Sequence, residues 1–249
     1  MTVKKTIVNS LILAMLTLTM GCSHLNAEPV EYQASDELVV LAHGLGRSDW
    51  AMWRLAQRFE NANYKVCRLD YSTLGVSVAE VLAETSKQID RCIVNAPKVH
   101  FVGHSLGGLV IRAYLQNNQV KLDQDRTGQV VLMGTPNKGS ELADYYNDSW
   151  LMKVAGGISR ALVTGTKSLG NNLDELDVNL GVIAGTKPLL LTSKKFTGPN
   201  DGLVSVESTK LNFMSDFIAI DVGHSQMRYN LEVAEQTIHF LRKGEFKHE

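Results

Sequence analysis

The pattern Gly103-His104-Ser105-Leu106-Gly107 constrains the fold of this chain more than any other feature, because of what flanks it. Val99-His100-Phe101-Val102 reads as a short apolar strand. Leu109, Val110, Ala113 and Tyr114 open an amphipathic helix. A strand that turns at once into a helix forces the residue at the corner, Ser105, into strained φ/ψ. Glycines two positions before and two after it remove side chains that would collide there. The serine hydroxyl then stands above the carboxyl end of a sheet, at a helix N-terminus that favours developing negative charge. Without partners elsewhere in the chain, the same five residues are only a glycine-rich turn.

The rest of the chain repeats the alternation of strand and helix. Leu38–Ala42, Tyr64–Leu69, Val99–Val102, Val130–Met133, Val182–Ala184 and Phe217–Ile220 read as strands. Helical spacing marks Ala51–Asn61, with Met52, Leu55, Ala56 and Phe59 on one face. It also marks a long helix carrying Val78, Val81, Leu82, Thr85, Ile89, Cys92 and Ile93, and a last helix over Leu231–Arg242. Short apolar strands between amphipathic helices predict an α/β fold: a mainly parallel sheet of about six strands with helices on both faces. The domain is expected over residues 38–249. The stretch 147–180, with Trp150, Leu151, Met152, Val154, Ile158, Leu162 and Val163 among glycines, reads either as a cap over a site or as crossover helices.

With 44% hydrophobic and 20% charged residues among 249, the chain is neither a disordered segment, a collagen nor a coiled coil. A net charge of −1 leaves no basic excess of the kind nucleic-acid binders carry. The start is different in character. Lys4 and Lys5 precede an apolar run from Ile7 to Met20, too short to span a membrane comfortably and shaped like a secretory signal. It ends in Leu18-Thr19-Met20-Gly21-Cys22-Ser23, which resembles a bacterial lipobox, although Thr19 stands where Leu is usual. That resemblance implies a signal peptide over 1–21, lipidation of Cys22, a linker over 22–37 and membrane attachment. Ser23 after the cysteine implies the outer membrane. Cleavage further on, for example after Ala27, would instead leave a soluble periplasmic or secreted protein. An exported chain meets an oxidising compartment, so Cys67 and Cys92 are candidates for a disulfide. A buried free cysteine on the long helix is the competing reading of Cys92.

A serine needs a base to act as a nucleophile. His24, His43, His100 and His104 precede Ser105, His239 lies within the last helix and His248 near the end of the chain. His224, in Gly223-His224-Ser225, follows the sixth strand, where a loop reaches the carboxyl end of the sheet. It is the candidate general base and, for the leaving group, general acid. Asp201, in Asn200-Asp201-Gly202, is the favoured orienting acid, and Asp221 is its rival. Its role would be to fix the imidazole tautomer and stabilise the imidazolium. The backbone N–H of Leu106 and that of Leu45, in His43-Gly44-Leu45-Gly46, are candidate oxyanion donors. No H-E-x-x-H or paired Cys/His spacing suggests a metal, no phosphate loop with its lysine is present, and the chemistry needs no cofactor.

Taken in order, five blocks resemble the α/β-hydrolase superfamily, specifically bacterial lipases and carboxylesterases. They are Val40–Gly46, Val102–Val110, Gly134–Ser140, Asn200–Val204 and Val222–Ser225. A more distant likeness is to GPI inositol-deacylases. The resemblance implies a compact α/β-hydrolase fold lacking the N-terminal strands of larger relatives. It also implies a Gly134–Ser140 block that shapes the acyl side of the pocket, and a serine ester hydrolase acting on carboxylic or lipid esters through Ser105, His224 and Asp201. A thioesterase or acyltransferase with the same three residues, or a catalytically silent lipid-binding lipoprotein on the same scaffold, are the alternatives that fold alone leaves open.

Overall fold

The computed structural model describes residues 32–118, 125–146 and 157–248. The expected signal segment, Cys22 and the first part of the linker lie outside the described residues, as do residues 147–156 of the proposed cap.

Six parallel strands form one sheet: β1 (Glu37–Ala42), β2 (Lys65–Arg68), β3 (Lys98–His104), β4 (Thr127–Met133), β5 (Leu180–Gly185) and β6 (Asp216–Ile220). Their spatial order is β2-β1-β3-β4-β5-β6, with every neighbouring pair parallel. The expected strands differ from these by one to three residues at their ends. The six strands and their parallel sense are as the alternation of apolar runs and helices predicts. A parallel sheet is covered on both faces, and the interior strands accordingly read as continuous apolar runs. The edge strand β2, Lys-Val-Cys-Arg, is only half-buried.

The strand period of two separates two cores. Leu38, Val40 and Ala42 of β1 point to one face and meet α2 (Val78–Cys92) and α3 (Leu106–Asn117). Val39 and Leu41 point to the other and meet α1 (Trp53–Asn61) and a long C-terminal helix over Leu231–Lys243. Local chemistry sets the helix ends. Ser77 and Glu80 make a reciprocal capping box before α2. Asn230 caps the C-terminal helix, and Gly244 closes it in the left-handed conformation at φ 80°. Helix α3 is buried from Leu106 to Leu115, including Arg112, because it crosses the middle of the sheet.

The Cys67 and Cys92 sulfurs are bonded, with Cα atoms 6.2 Å apart. The bridge ties the edge strand β2 to the last turn of α2. Among residues 157–180, the chain folds down on the body of the domain. A short helix over Gly157–Arg160 is followed by turns over Gly165–Lys167 and Gly170–Asn172. Arg112 fastens this stretch from inside α3, donating to the carbonyls of Gly170 and Leu173 and to Asn137 Oδ1. Burial pulls its pKa down to about 10. Sequence reasoning missed this arginine; its place four residues past Gly108, amid Leu109–Tyr114, was the available signal.

The order of the strands positions the site. The chain leaves β1 for β2 on one side, then crosses back over β1 to β3 on the other. The loops that follow β1 and β3 therefore diverge at the carboxyl end of the sheet and leave a crevice between them.

Candidate active site

Ser105 stands at that crevice with φ 57° and ψ −125°, a left-handed backbone that a non-glycine residue adopts only under constraint. Two surroundings hold it there. Its N–H donates to the carbonyl of Met133 at the end of β4, at 2.9 Å, while helix α3 begins with the next residue. The glycines make the turn passable. A Cβ on Gly103 would lie 2.5 Å from the Gly108 Cα, and one on Gly107 would overlap the Ala42 carbonyl. Gly108 likewise has no room for a side chain against Thr135. The pattern of glycines in the sequence is thus the imprint of a close crossing between β1, β3 and α3.

Across the crevice, the loop after β1 comes within van der Waals range. A Cβ on Gly44 would be 3.1 Å from the Ser105 Cβ. The orientation of the Gly44–Leu45 peptide is set by His43, whose Nδ1–H donates to the Gly44 carbonyl at 2.9 Å. A planar trans peptide whose C=O is held on one side presents its N–H, that of Leu45, on the other. His43 is fully buried and stacks on Tyr71 at 4.0 Å between ring centres, and the Tyr71 hydroxyl donates to the His43 carbonyl. Burial lowers the His43 pKa, which keeps the ring a neutral donor to that carbonyl. The N–H of Leu106 belongs to the first turn of α3, where no intrahelical acceptor is available.

His224 enters from the other end of the chain, in a short turn, His224–Gln226, after β6. Its Nδ1 lies 2.7 Å from Asp201 Oδ2, and Asp201 is 1% exposed. The other carboxylate oxygen of Asp201 accepts from the N–H groups of Leu203 and Val204, at 2.9 and 2.8 Å. The His224 N–H also donates to the Asp201 carbonyl at 2.9 Å. The tight turn around Gly202, at φ 97°, therefore aims the carboxylate at His224. The rival Asp221 is exposed at the end of β6. His239 and His248 are remote from Ser105, the latter paired with Asp216.

Two further contacts hold His224, and sequence reasoning missed both. His104 Nε2–H donates to the His224 carbonyl at 2.9 Å. Burial, reinforced by the neighbouring His224, holds the His104 pKa well below the ordinary histidine range, so its ring stays neutral. Gly134, at φ 56°, lies under the pair: a Cβ there would be 3.1 Å from Asp201 Oδ2 and 3.2 Å from His224 Nδ1. Its sequence signals were its place at the carboxyl end of β4 and at the head of the Gly134–Ser140 block, neither of which tied it to His224.

Ser105, His224, Gly44 and Leu45 line one cavity of about 240 Å³, and Leu142, Ala143, Leu162, Leu203 and Val204 form apolar walls. Pro136 and Ser140 of the Gly134–Ser140 block are part of the wall as well. No group of three or more His, Cys, Asp or Glu among the described residues forms a metal cluster. The arrangement offers a hydroxyl, a buried imidazole held by a carboxylate, and backbone donors, facing an apolar pocket.

The model of a family described as "Domain of unknown function (DUF7379)" matches residues 24–184. No curated protein matches the sequence. Among solved structures, the chain is similar to the lipase BlEst2 of Bacillus licheniformis in its mature form. That match has a TM-score of 0.65 and 22% identity, over 84% of this chain and 94% of that one. It is also similar to the phospholipase PlaB of Legionella pneumophila, with a TM-score of 0.55 and 20% identity, over 70% of this chain and 45% of that one. Thus the chain spans about half the length of PlaB. A metagenomic carboxyl esterase, MGS0156, gives a TM-score of 0.57 and 17% identity, over 80% and 68% of the two chains. The fold is that of the α/β-hydrolases.

Proposed function

We propose that this chain, which belongs to the DUF7379 family, is a serine ester hydrolase acting on carboxylic or lipid esters. The observation that carries the proposal is the Asp201–His224 hydrogen bond at 2.7 Å, made at the wall of the same cavity where Ser105 sits on its strained corner. The names of the lipase and carboxyl esterase that share the fold support the same reading.

In this mechanism His224 accepts the Ser105 proton as the hydroxyl oxygen attacks the ester carbonyl. The Leu45 and Leu106 N–H groups receive the oxyanion, and Asp201 stabilises the imidazolium. His224 then returns the proton to the departing alcohol, leaving an acyl ester on Ser105. Water, deprotonated by His224, attacks that ester, and His224 returns the proton to Ser105 Oγ as the bond to the serine breaks and the acid leaves. The apolar walls take the acyl chain. No metal or cofactor enters a step. Attachment to the outer membrane through a lipidated Cys22, after removal of residues 1–21, completes the proposal. Cys22→Ala should then release the protein to the soluble fraction, and an unmodified N-terminus at Glu28 would refute the anchor.

The test is hydrolysis of a p-nitrophenyl ester series, acetate through palmitate, by wild type and by Ser105→Ala. Turnover in wild type that the variant loses supports the hydrolase, and its dependence on chain length separates esterase from lipase. Equal rates in the two proteins would overturn it. Transfer to a non-water acceptor would favour the acyltransferase. Failure of a fluorophosphonate to label Ser105 would favour the silent scaffold.

A further inference from the structure

The large apolar side chains left in water are distributed unevenly. Of the ten that are more than a third exposed among the described residues, only Val94 lies at the amino end of the sheet. Trp50, Leu74 and Tyr229 belong to segments that follow the carboxyl ends of β1, β2 and β6, the end of the sheet at which the cavity lies. The two most exposed are consecutive, Leu190 at 92% and Leu191 at 94%, and Leu189 before them is half-exposed. Scattered exposed leucines are ordinary, but a run of them on a loop tip is not.

These leucines sit in the loop that runs from β5 to Asp201. The loop is built rather than loose. Leu189 packs on Gly202, the Thr192 hydroxyl donates to the Gly202 carbonyl at 2.6 Å, and Lys195 Nζ lies 3.3 Å from the centre of the Tyr145 ring. Gly202 is followed by Leu203 and Val204 of the cavity wall, so the tip is held beside the cavity mouth. Its charge is one-sided. Between β5 and Asp201 the segment carries Lys187, Lys194 and Lys195 and no acid. Arg47, exposed at the cavity rim, adds to it. Apolar tips flanked by amines match one kind of partner, an anionic lipid surface: the leucines enter the acyl boundary and the lysines meet the phosphates.

We propose that the Lys187–Lys195 loop is a membrane-docking element, inserting Leu190 and Leu191 into an anionic bilayer so that the cavity mouth faces the lipid. It is a contact separate from any lipid on Cys22. In one respect it rests on the proposed hydrolase: the docked pose would deliver bilayer esters to Ser105.

The experiment uses the full chain and vesicles of phosphatidylglycerol and phosphatidylethanolamine, with bromine on the acyl chains. Leu190→Trp adds a reporter whose fluorescence is measured against the wild-type background. Quenching of that added signal by the anionic vesicles, several-fold stronger than by phosphatidylcholine vesicles, is the expected result. The double variant Leu190→Asp/Leu191→Asp should lose roughly tenfold or more in turnover of a vesicle-embedded ester, as expected for two exposed leucines that no longer insert. Its turnover of soluble p-nitrophenyl acetate should stay unchanged. Lys187→Glu/Lys194→Glu should erase the preference for anionic vesicles. An unquenched reporter, or quenching equal in both vesicle types, overturns the proposal. So does a reporter already in apolar surroundings without vesicles: independence of protein concentration would then assign the cover to another segment of the same chain, and dependence on it to a second copy. If wild type hydrolyses neither ester, the hydrolase reading fails, while the quenching still decides docking.

Discussion

Replacing Gly134 by alanine tests how the Asp201–His224 pair is held. Two costs can be separated. The backbone sits at φ 56° and its N–H donates to the Ile183 carbonyl at 2.9 Å, so it cannot rotate to suit a side chain. A left-handed L-residue costs roughly 1–2 kcal/mol. In a domain of this size that is a Tm lower by roughly 2–8 °C. The second cost is steric. The new methyl would stand 3.0 Å from Met227 Sδ, 3.1 Å from Asp201 Oδ2 and 3.2 Å from His224 Nδ1, each closer than ordinary contact. Met227 is flexible and can yield. Asp201 is pinned by two N–H groups, so the imidazole takes the remaining shift of a few tenths of an ångström. If a 1 Å misplacement costs on the order of 10²-fold, this shift should lower kcat about 3- to 10-fold. Gly75→Ala is the control: φ is 73° there, with open space around it, so strain acts without crowding. Thermal melts and p-nitrophenyl ester kinetics read both. A Gly134→Ala protein that loses stability like the control yet keeps its kcat would refute the link between Gly134 and the pair.

Three further outcomes follow from the same geometry. Asp201→Asn should lower kcat on the order of 10⁴-fold, because the wrong imidazole tautomer then faces Ser105, whereas Asp221→Asn should leave it within about twofold; the reverse ranking would move the acid. Reducing the Cys67–Cys92 bridge, which closes 25 residues of chain, should destabilise the domain by about 3 kcal/mol in a denaturant titration; no change in midpoint would deny it a stabilising role. Stability should also fall with pH through buried histidines. His100, fully buried, accepts from the Gln129 N–H and faces Glu37, and burial pulls its pKa down to about 4. Unfolded, it titrates near 6.5, so below that pH the unfolded chain binds the extra proton. The folded state is then at full stability above about pH 6.5 and loses about 3 kcal/mol by about pH 4 from this group, with His43 and His104 acting in the same direction. A Tm that is flat between pH 7.5 and 5 would contradict it.

Much of the molecule was legible in the amino-acid order because its determinants are local. Runs such as Leu38–Ala42 and Val130–Met133 are apolar throughout because both faces of a parallel strand are covered. Ser105 between Gly103 and Gly107 is readable because a strand-to-helix corner admits nothing larger on either side. Chain order and loop position singled out His224 and ranked Asp201 above Asp221. Other features depend on residues far apart in sequence, and no local pattern carries them. The 2.7 Å approach of Asp201 to His224 spans 23 residues. The His104 bond to the His224 carbonyl spans 120. Arg112 reads as a misplaced charge in an apolar helix until Asn137, Gly170 and Leu173 are folded around it. Gly134, legible as the head of the Gly134–Ser140 block, has no tie to the pair until Asp201 and His224 lie against it. The apolar corner and its serine are consequences of backbone sterics within a few residues, so the amino-acid order alone carries them. Which side chains share that corner is a consequence of strand order β2-β1-β3-β4-β5-β6, and only packing the sheet decides it.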